Sequence, residues 1–248
     1  FFGRLHNQTI GRLALSAEVV LCVSKYEKSL IESSGVKVKR IEVLPNGVDT
    51  TRYKSGYKSL ALNKKSEALA HRGPTVVYVG RVAEHKGVET LIKAAPLVLE
   101  KVPEAKFVIA GPDENAKCKM QNAKFEKKLI FTGEVSEEEK VALMQRAGVF
   151  VLPSQSEAFG ITVIEAMAAG CPVVVSAIPS LMEIVKDGQT GLVFPVDDEK
   201  VLASQIIRVL ADQNLSRQLS TNAKVRVEKK YSWEKIIDHL ERTYASIL

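Results

Sequence analysis

The sequence predicts an α/β fold with a doubly wound parallel sheet, and two observations lead to this prediction. From residue 75 to about residue 195, short apolar segments alternate with longer segments of helical character. The apolar segments, such as 75–80 and 149–153, are nearly continuous in hydrophobic residues instead of alternating with polar ones. Strands of that kind have both faces covered, and repetition of strand, helix and strand places them in a parallel sheet.

Residues 1–50 predict two strands with a helix between them. Ser24 and Glu27 have the spacing of a capping box, which marks the start of the helix, and Gly35 marks its end. The two strands are expected at 17–23 and 37–44. Residues 51–73 are rich in polar residues and show neither the helical nor the strand period, which is typical of a linker between domains.

Residues 74–231 are the main predicted domain, and residues 232–248 contain a separate C-terminal helix. Six strands are expected, at 75–80, 106–111, 129–133, 149–153, 172–176 and 191–195. Helices are expected at 87–101, 115–126, 136–148, 161–169, 198–212, 214–230 and 232–246, with a short helix after residue 176. Ser136 and Glu139 again have capping-box spacing, and Pro96 is expected to kink or split its helix.

Composition favours a soluble globular protein. Of the 248 residues, 46% are hydrophobic and 26% are charged, and no apolar run approaches the ~20 residues that span a bilayer. The first residues lack the apolar centre and cleavage site of a signal peptide, so a cytoplasmic location is expected. Cys22, Cys118 and Cys171 are widely spaced without a CxxC pair, and we interpret them as packing residues.

The net charge of +6 does not by itself indicate nucleic-acid binding. The basic residues are scattered and mostly interleaved with acidic ones, as in 225–242. Solvated helix faces explain most of these charges, so no nucleic-acid partner is predicted. A weakly positive surface would also suit an anionic small molecule or an anionic membrane surface.

The first candidate site is the segment 80–87, which leaves a predicted strand and enters a helix. Gly80 and Gly87 allow close backbone approach, the helix amino terminus attracts anions, and Arg81 and Lys86 add two cations. This combination suits phosphate, although an ordinary connection with two exposed cations is an equal alternative. Neither GxGxxG nor a Walker A loop follows any strand, which argues against a dehydrogenase and a P-loop ATPase.

The second candidate site contains two acids, Glu157 and Glu165. Glu157 follows a predicted strand, and Glu165 lies about one turn into a helix that is otherwise apolar. A carboxylate in such surroundings needs a polar partner or a cation. Acids separated in this way suit the hydroxyl pairs of a ribose or a hexose, at roughly 1.5 to 3 kcal/mol for each charged hydrogen bond. The alternative is an internal salt bridge for Glu165 and an exposed Glu157.

Several motifs in a fixed order resemble one enzyme family. They are "VGRVAEHKG", "FVIAGP", "FTGEVSEEE", "VLPSQSEAFGITVIEAMAAGCPVVVS" and "GQTGLVFPVDD". This array, from about 75 to 197, resembles the donor-binding half of family 4 retaining glycosyltransferases with the GT-B fold. The resemblance implies a Rossmann-like C-terminal domain at 74–231. It also implies that residues 1–50 are the tail end of an N-terminal domain and that the helix in 232–248 crosses back toward that domain.

The resemblance also implies roles for individual residues. Arg81 and Lys86 would bind the diphosphate of the donor and act in catalysis, as would Glu157, which would hold the transferred sugar. Glu165 would hold the ribose. Further donor contacts are implied for the main chain of Gly80, Phe159, Gly160 and Ile161 and, near the base, for Gly133 to Val135. The family usually needs no metal, and the sequence has no DxD motif, so neither a metal nor a cofactor is predicted.

The function that the resemblance implies is transfer of a sugar, with retained anomeric configuration, from a nucleotide-diphosphate sugar such as a UDP-sugar or a GDP-sugar. This chain would be the donor-binding half. The acceptor, a saccharide or a lipid, would bind to the missing part of the N-terminal domain, and the basic residues would suit peripheral association with a membrane. Two alternatives remain: a non-catalytic nucleotide-sugar-binding module or partner subunit, and a related GT-B enzyme such as a phosphorylase or an epimerase.

Overall fold

The structure is a computed structural model, and it describes residues 17–35, 37–53, 74–112 and 127–247. The predicted helix 115–126, most of the predicted linker 51–73 and Cys118 lie outside the described residues. Within the described part of the chain, no helix is long and apolar enough to cross a membrane.

A small two-stranded sheet comes first in the chain. Strands β1 (Val20–Cys22) and β2 (Ile41–Val43) pair in parallel and flank helix α1 (Lys25–Ser33). Both strands are shorter than predicted. The Oγ atom of Ser24 accepts a hydrogen bond from the Glu27 amide at 3.0 Å, so the predicted cap is confirmed. We call residues 17–53, which contain these three elements, the N-terminal unit.

The main sheet has six parallel strands in the order β5-β4-β3-β6-β7-β8. The strands are β3 (Thr75–Val79), β4 (Lys106–Ala110), β5 (Leu129–Gly133), β6 (Val149–Leu152), β7 (Val173–Ser176) and β8 (Leu192–Phe194). Every residue of β3, β6 and β7 is buried, as expected for strands that are covered on both faces. The predicted doubly wound α/β fold is confirmed.

Seven further helices follow the N-terminal unit in the described residues. They are α2 (Val88–Lys101), α3 (Glu137–Arg146), α4 (Ile161–Ala169), α5 (Pro179–Ile184), α6 (Glu199–Ala211), α7 (Gln213–Lys230) and α8 (Trp233–Ala245). The capping box of Ser136 and Glu139 is present at the start of α3. Pro96 lies inside α2, which continues without interruption over 14 residues, so the predicted split of this helix does not occur.

The strand order reverses between β3 and β6, in the middle of the sheet. From β3 the chain moves outward to β4, whereas from β6 it moves outward in the other direction to β7. Because such crossovers are right-handed, α2 and α4 cover opposite faces of the sheet. The segments that leave the carboxyl ends of β3 and β6 therefore meet at a topological switch point, where ligands bind in folds of this class.

Several contacts join the N-terminal unit to the rest of the chain, including two that involve backbone amides of the unit. At the first, Val48 forms a parallel bridge with Ser232, and its amide donates a hydrogen bond to the carbonyl oxygen of Tyr231 at 2.7 Å. At the second, the carboxylate of Glu183 in α5 accepts hydrogen bonds from the amides of Lys25 and Tyr26 at 3.0 and 2.8 Å. A side chain of the main domain thus caps the first helix of the N-terminal unit.

Candidate functional site

The two segments at the switch point are in direct contact. After β3 the chain makes a short 3₁₀ turn at Glu84–Lys86 and enters α2 through Gly87, which has φ +64°. A Cβ atom at Gly87 would lie 2.0 Å from the carbonyl oxygen of Pro153, in the segment after β6. Only glycine permits this approach, so the predicted phosphate segment packs against the segment that carries Glu157.

An ion pair joins these two segments. The Nζ atom of Lys86 donates to Oε1 of Glu157 at 2.7 Å, and the Ser154 hydroxyl donates to the same oxygen at 2.8 Å. The two charged side chains are only 16% and 13% exposed. Glu157 is therefore not the solvent-exposed acid of the alternative interpretation, because it pairs with a cation of the predicted phosphate segment.

A cavity of about 290 Å³ opens beside this ion pair. Seven of the residues predicted to bind the donor line it: Gly80, Arg81, Lys86, Glu157, Phe159, Gly160 and Ile161. The other lining residues are Asn46, Tyr78, Val79, Leu152, Ala158 and Thr162. Asn46 belongs to the N-terminal unit, so the cavity lies between that unit and the main domain.

The amino terminus of α4 faces this cavity. Gly160 precedes the helix with φ +106°, and no side chain caps the first turn. A Cβ atom at Gly160 would lie 2.5 Å from Cδ2 of Leu181, so the segment also packs closely on α5. Uncapped amides at a helix amino terminus attract anions. The cavity therefore combines two basic side chains with a helix terminus of positive potential.

Glu165 does not line the cavity. Its Oε1 atom accepts a hydrogen bond from Nζ of Lys140 in α3 at 2.7 Å, which is the internal salt bridge of the alternative interpretation. The prediction that four charged side chains share one pocket is thus correct for Arg81, Lys86 and Glu157 but wrong for Glu165. The reason is packing, since the α4 face that carries Glu165 contacts α3.

The second carboxylate oxygen of Glu165 is nevertheless unsatisfied. Oε2 is buried and accepts no hydrogen bond of ordinary geometry from the described residues, although the Tyr53 hydroxyl lies close enough to lower the pKa of the carboxyl. Burial raises the pKa of the Glu165 carboxyl, although the bond from Lys140 acts in the opposite direction. Burial lowers the pKa of Lys140, but its bonds to Glu165 and Glu137 outweigh that effect and raise it. A buried acceptor without a donor is a costly feature in a folded protein.

Sequence reasoning missed two residues beside Glu165, namely Lys140 and Tyr53. Burial raises the pKa of the Tyr53 hydroxyl, and the nearby charge of Glu165 adds to the effect. Lys140 follows three acids in the sequence, and no role was predicted for it. Its spacing to Leu143 and Met144, which are buried, could have placed it on the inner face of the helix.

The segment predicted to lie near the base is further away. Gly133 ends β5, and its carbonyl oxygen accepts a hydrogen bond from the Gly111 amide at 2.8 Å. Val135 packs against the edge of the hydrophobic core. Neither residue lines the cavity, so their contact with a base stays a prediction. In the described ranges, no group of three or more potential metal ligands is present.

Two family models match the chain. The model described as "Glycosyl transferases group 1" matches residues 61–226, and the model described as "Glycosyltransferase Family 4" matches residues 1–52. The first match spans the main sheet and both segments of the switch point. The second ends within the 3₁₀ turn Thr50–Tyr53.

Curated relatives match over nearly the whole chain. A phosphatidyl-myo-inositol mannosyltransferase of Mycolicibacterium smegmatis is 29% identical over 98% of this chain and 58% of its own length. An uncharacterized glycosyltransferase of Methanocaldococcus jannaschii is 31% identical over 92% of this chain and 60% of its own length. The chain thus spans about three fifths of the length of these relatives.

Solved structures share the fold. Sucrose-phosphate synthase from Thermosynechococcus elongatus superposes with a TM-score of 0.82 at 27% identity, over 100% of this chain and 62% of that one. Anabaena HepE, solved in complex with UDP and glucose, has a TM-score of 0.84 at 21% identity, over 97% of this chain and 68% of that one. The GT-B resemblance inferred from the sequence motifs is confirmed, and the chain belongs to the glycosyl transferases group 1 family.

Proposed function

We propose that this chain is the donor-binding half of a retaining, metal-independent glycosyltransferase that uses a nucleotide-diphosphate sugar. The observation that carries the proposal is the Lys86–Glu157 ion pair, which lies in one cavity with Arg81 at the switch point of the sheet. A cavity that contains both cations and a carboxylate suits a ligand with phosphates at one end and hydroxyl groups at the other.

The chemistry follows from the charges in the cavity. When a glycosidic bond to a diphosphate breaks, negative charge grows on the leaving phosphate. Arg81, Lys86 and the amides at the start of α4 would stabilise that charge, and one preorganised group of this kind is worth ~3 kcal/mol in a transition state. Glu157 uses only Oε1 for Lys86 and Ser154, so its Oε2 atom would accept hydrogen bonds from the hydroxyl groups of the sugar.

Glu165 is proposed to bind the ribose, even though it lies outside the cavity. Its buried Oε2 atom accepts no hydrogen bond of ordinary geometry in the described part of the chain, although Tyr53 lies nearby, and a ribose hydroxyl would supply one. Lys140 holds the other oxygen, so the carboxylate is already ordered when no nucleotide is bound. The proposed ligand would therefore extend from the cavity toward α3.

Calorimetric titration with UDP, GDP and ADP tests the donor site. Arg81→Ala and Glu165→Gln should each weaken binding of the preferred nucleotide about tenfold or more, because each removes a charge-assisted hydrogen bond. Arg217→Ala is the matched control, since Arg217 is exposed on α7 and does not line the donor cavity. If both site variants bind as tightly as this control, the site assignment is wrong.

Catalysis is tested with a longer protein that contains a complete N-terminal domain. We expect transfer that continues in the presence of EDTA, and an NMR spectrum of the product that reports the same anomeric configuration as the donor. A protein that binds the donor without transferring the sugar would instead favour the non-catalytic binding module. Inversion of configuration would contradict the retaining mechanism.

A further inference from the structure

A second concave surface, which shares no lining residue with the donor cavity, is strongly basic. This groove of about 530 Å³ lies between the start of β2, the end of α7 and the length of α8. We call it the basic groove, and its lining residues are Arg40, Glu42, Lys229, Lys230, Lys235, His239, Arg242 and Thr243. Five of them are permanently cationic and one is acidic, so the lining carries a net charge of +4 without the histidine.

In the folded chain, basic residues that are interleaved with acids in the sequence line one groove. Residues 235, 239 and 242 of α8 are spaced by four and three positions, which places them on one side of the helix. The acids of α8, Glu234, Asp238 and Glu241, do not line the groove, although the sequence interleaves them with these basic residues and Asp238 pairs with Lys235 at 3.9 Å. The end of α7 and the residue before β2 then bring further cations to the same side.

Half of the six basic side chains of the groove have no partner among the described residues, and Lys235 has only a distant one, Asp238 at 3.9 Å. Lys229, Lys230 and His239 make no hydrogen bond or ion pair with any described side chain, and Arg242 donates only to a carbonyl oxygen of its own helix at 3.0 Å. Arg40 is the best-satisfied cation, because it pairs with Glu42 at 2.9 Å. Like charges held together in a concavity repel one another, so this arrangement costs stability unless an anion binds.

A purely structural explanation accounts for part of the groove. Lys229 and Lys230 lie in the last turn of α7, where positive charge offsets the partial negative charge of the helix terminus. That effect does not apply to Lys235, which lies in the first turn of α8, where cations are unfavourable. It also does not explain why Arg40, from a different element, faces the same groove.

We propose that the basic groove binds a ligand that carries two or more phosphate groups, at a site separate from the donor cavity. Phosphate oxygens accept charge-assisted hydrogen bonds from Lys and Arg, and cations from three elements could contact several phosphates at once. The groove is large enough for a small polyphosphate and open enough for the headgroups of anionic phospholipids. Both sources present the same chemistry, and the experiment separates them.

The probe for the soluble source is inorganic tripolyphosphate, titrated into the 248-residue chain by calorimetry. All titrations use an Arg81→Ala background so that the donor cavity does not contribute. Lys230→Gln/Arg242→Gln removes two groove cations and should weaken binding about tenfold, because each exposed charge pair is worth up to about 1 kcal/mol. The matched control is Lys101→Gln/Lys200→Gln, which removes the same charge from exposed positions outside the groove.

The lipid source is tested by co-sedimentation with neutral phosphatidylcholine vesicles and with vesicles that also contain phosphatidic acid. Binding to the acidic vesicles but not to the neutral ones would identify a headgroup as the ligand. This binding should be weaker for the groove variant and unchanged for the control variant. Tripolyphosphate binding with the same variant dependence, without vesicle binding, would identify a soluble ligand. Either result supports the site.

The proposal is overturned if the groove variant and the control variant bind both probes equally, since binding would then follow net charge and not position. It is also overturned if neither probe binds the Arg81→Ala protein. Thermal melts of all variants exclude unfolding as the cause, and the changed side chains are exposed. Because the groove variant and the control variant carry the same Arg81→Ala donor cavity, a difference between them is independent of the proposed donor site.

Discussion

Replacement of Lys140 by methionine tests whether burial decides the strength of the ion pair with Glu165. The two side chains are 13% and 12% exposed, and Nζ lies 2.7 Å from Oε1. Removing one partner of a fully buried pair costs roughly 3 to 5 kcal/mol, because the other charge is left without compensation. Since both side chains keep some contact with solvent, we expect a loss of about 2 to 3 kcal/mol in the free energy of unfolding.

A matched control exists in α2. Lys93 pairs with Glu89 at 2.9 Å, but these side chains are 58% and 71% exposed. Lys93→Met should therefore cost about 0.5 kcal/mol or less, as measured exposed pairs do. The assay is urea unfolding, in which the midpoint should shift while the slope stays constant. If Lys140→Met costs no more than Lys93→Met, the argument from burial is wrong.

The pH dependence gives a second test of the same pair. Burial raises the pKa of Glu165 above its ordinary value, so the folded protein holds this proton more tightly than the unfolded chain. The contribution of Glu165 to stability then falls as the pH rises through the interval between the two values. Loss of Lys140 raises the folded pKa further, so the cost of Lys140→Met should be larger at about pH 8 than at about pH 5.

A double variant completes the cycle. Lys140→Met/Glu165→Gln removes both charges, and we expect it to be more stable than Lys140→Met alone at about pH 8, because no buried charge is left unpaired. A double variant that is less stable than Lys140→Met would show that Glu165 gains its stabilisation from other groups.

Three further predictions concern close packing and capping. Gly87→Ala should destabilise by about 2 kcal/mol or more in urea unfolding, because its Cβ atom would meet a backbone oxygen at 2.0 Å. Gly188→Ala, with a similar φ of +68° and open space, should cost only about 1 kcal/mol, and equal losses would contradict the packing argument. Gly47→Ala should change the fluorescence of Trp233, the single tryptophan, because the new Cβ atom would lie 2.6 Å from its indole ring; an unchanged spectrum would refute this contact. Glu183→Gln should cost about 1 kcal/mol and accelerate amide exchange in the first turn of α1, whereas unchanged exchange would mean that water replaces the cap.

The sequence predicted the sheet and the position of the site because both depend on short segments. Continuous apolar runs identified the six strands, and the connections after β3 and β6 could be assigned to one edge of the sheet. Lys86 and Glu157 lie in those connections, so their meeting followed from topology. The boundaries of β1 and β2 were less accurate, because apolar residues such as Val19, Val23 and Leu44 continue the β-like pattern beyond the three residues of each strand that pair.

Glu165 was expected to line the same cavity as Arg81 and Lys86 but does not, because its position depends on how helices pack. The sequence shows that this acid is in an apolar helix, but it does not show that α3 presents Lys140 to it. The basic groove was missed for a related reason. Interleaved charges in 225–242 separate only when the helical period is combined with the position of Arg40, which comes from a distant part of the sequence.

The bridge between Val48 and Ser232 has a mechanical consequence. Val48 of the N-terminal unit lies beside the segment that leads into α8, and backbone hydrogen bonds of 2.7 and 3.3 Å join it to Tyr231 and Trp233. A rotation of the N-terminal unit against the main domain would therefore have to break this backbone pairing, together with the bonds from Lys25 and Tyr26 to Glu183. Asn46 lies two residues from this pairing, so the same backbone hydrogen bonds hold it beside the donor cavity.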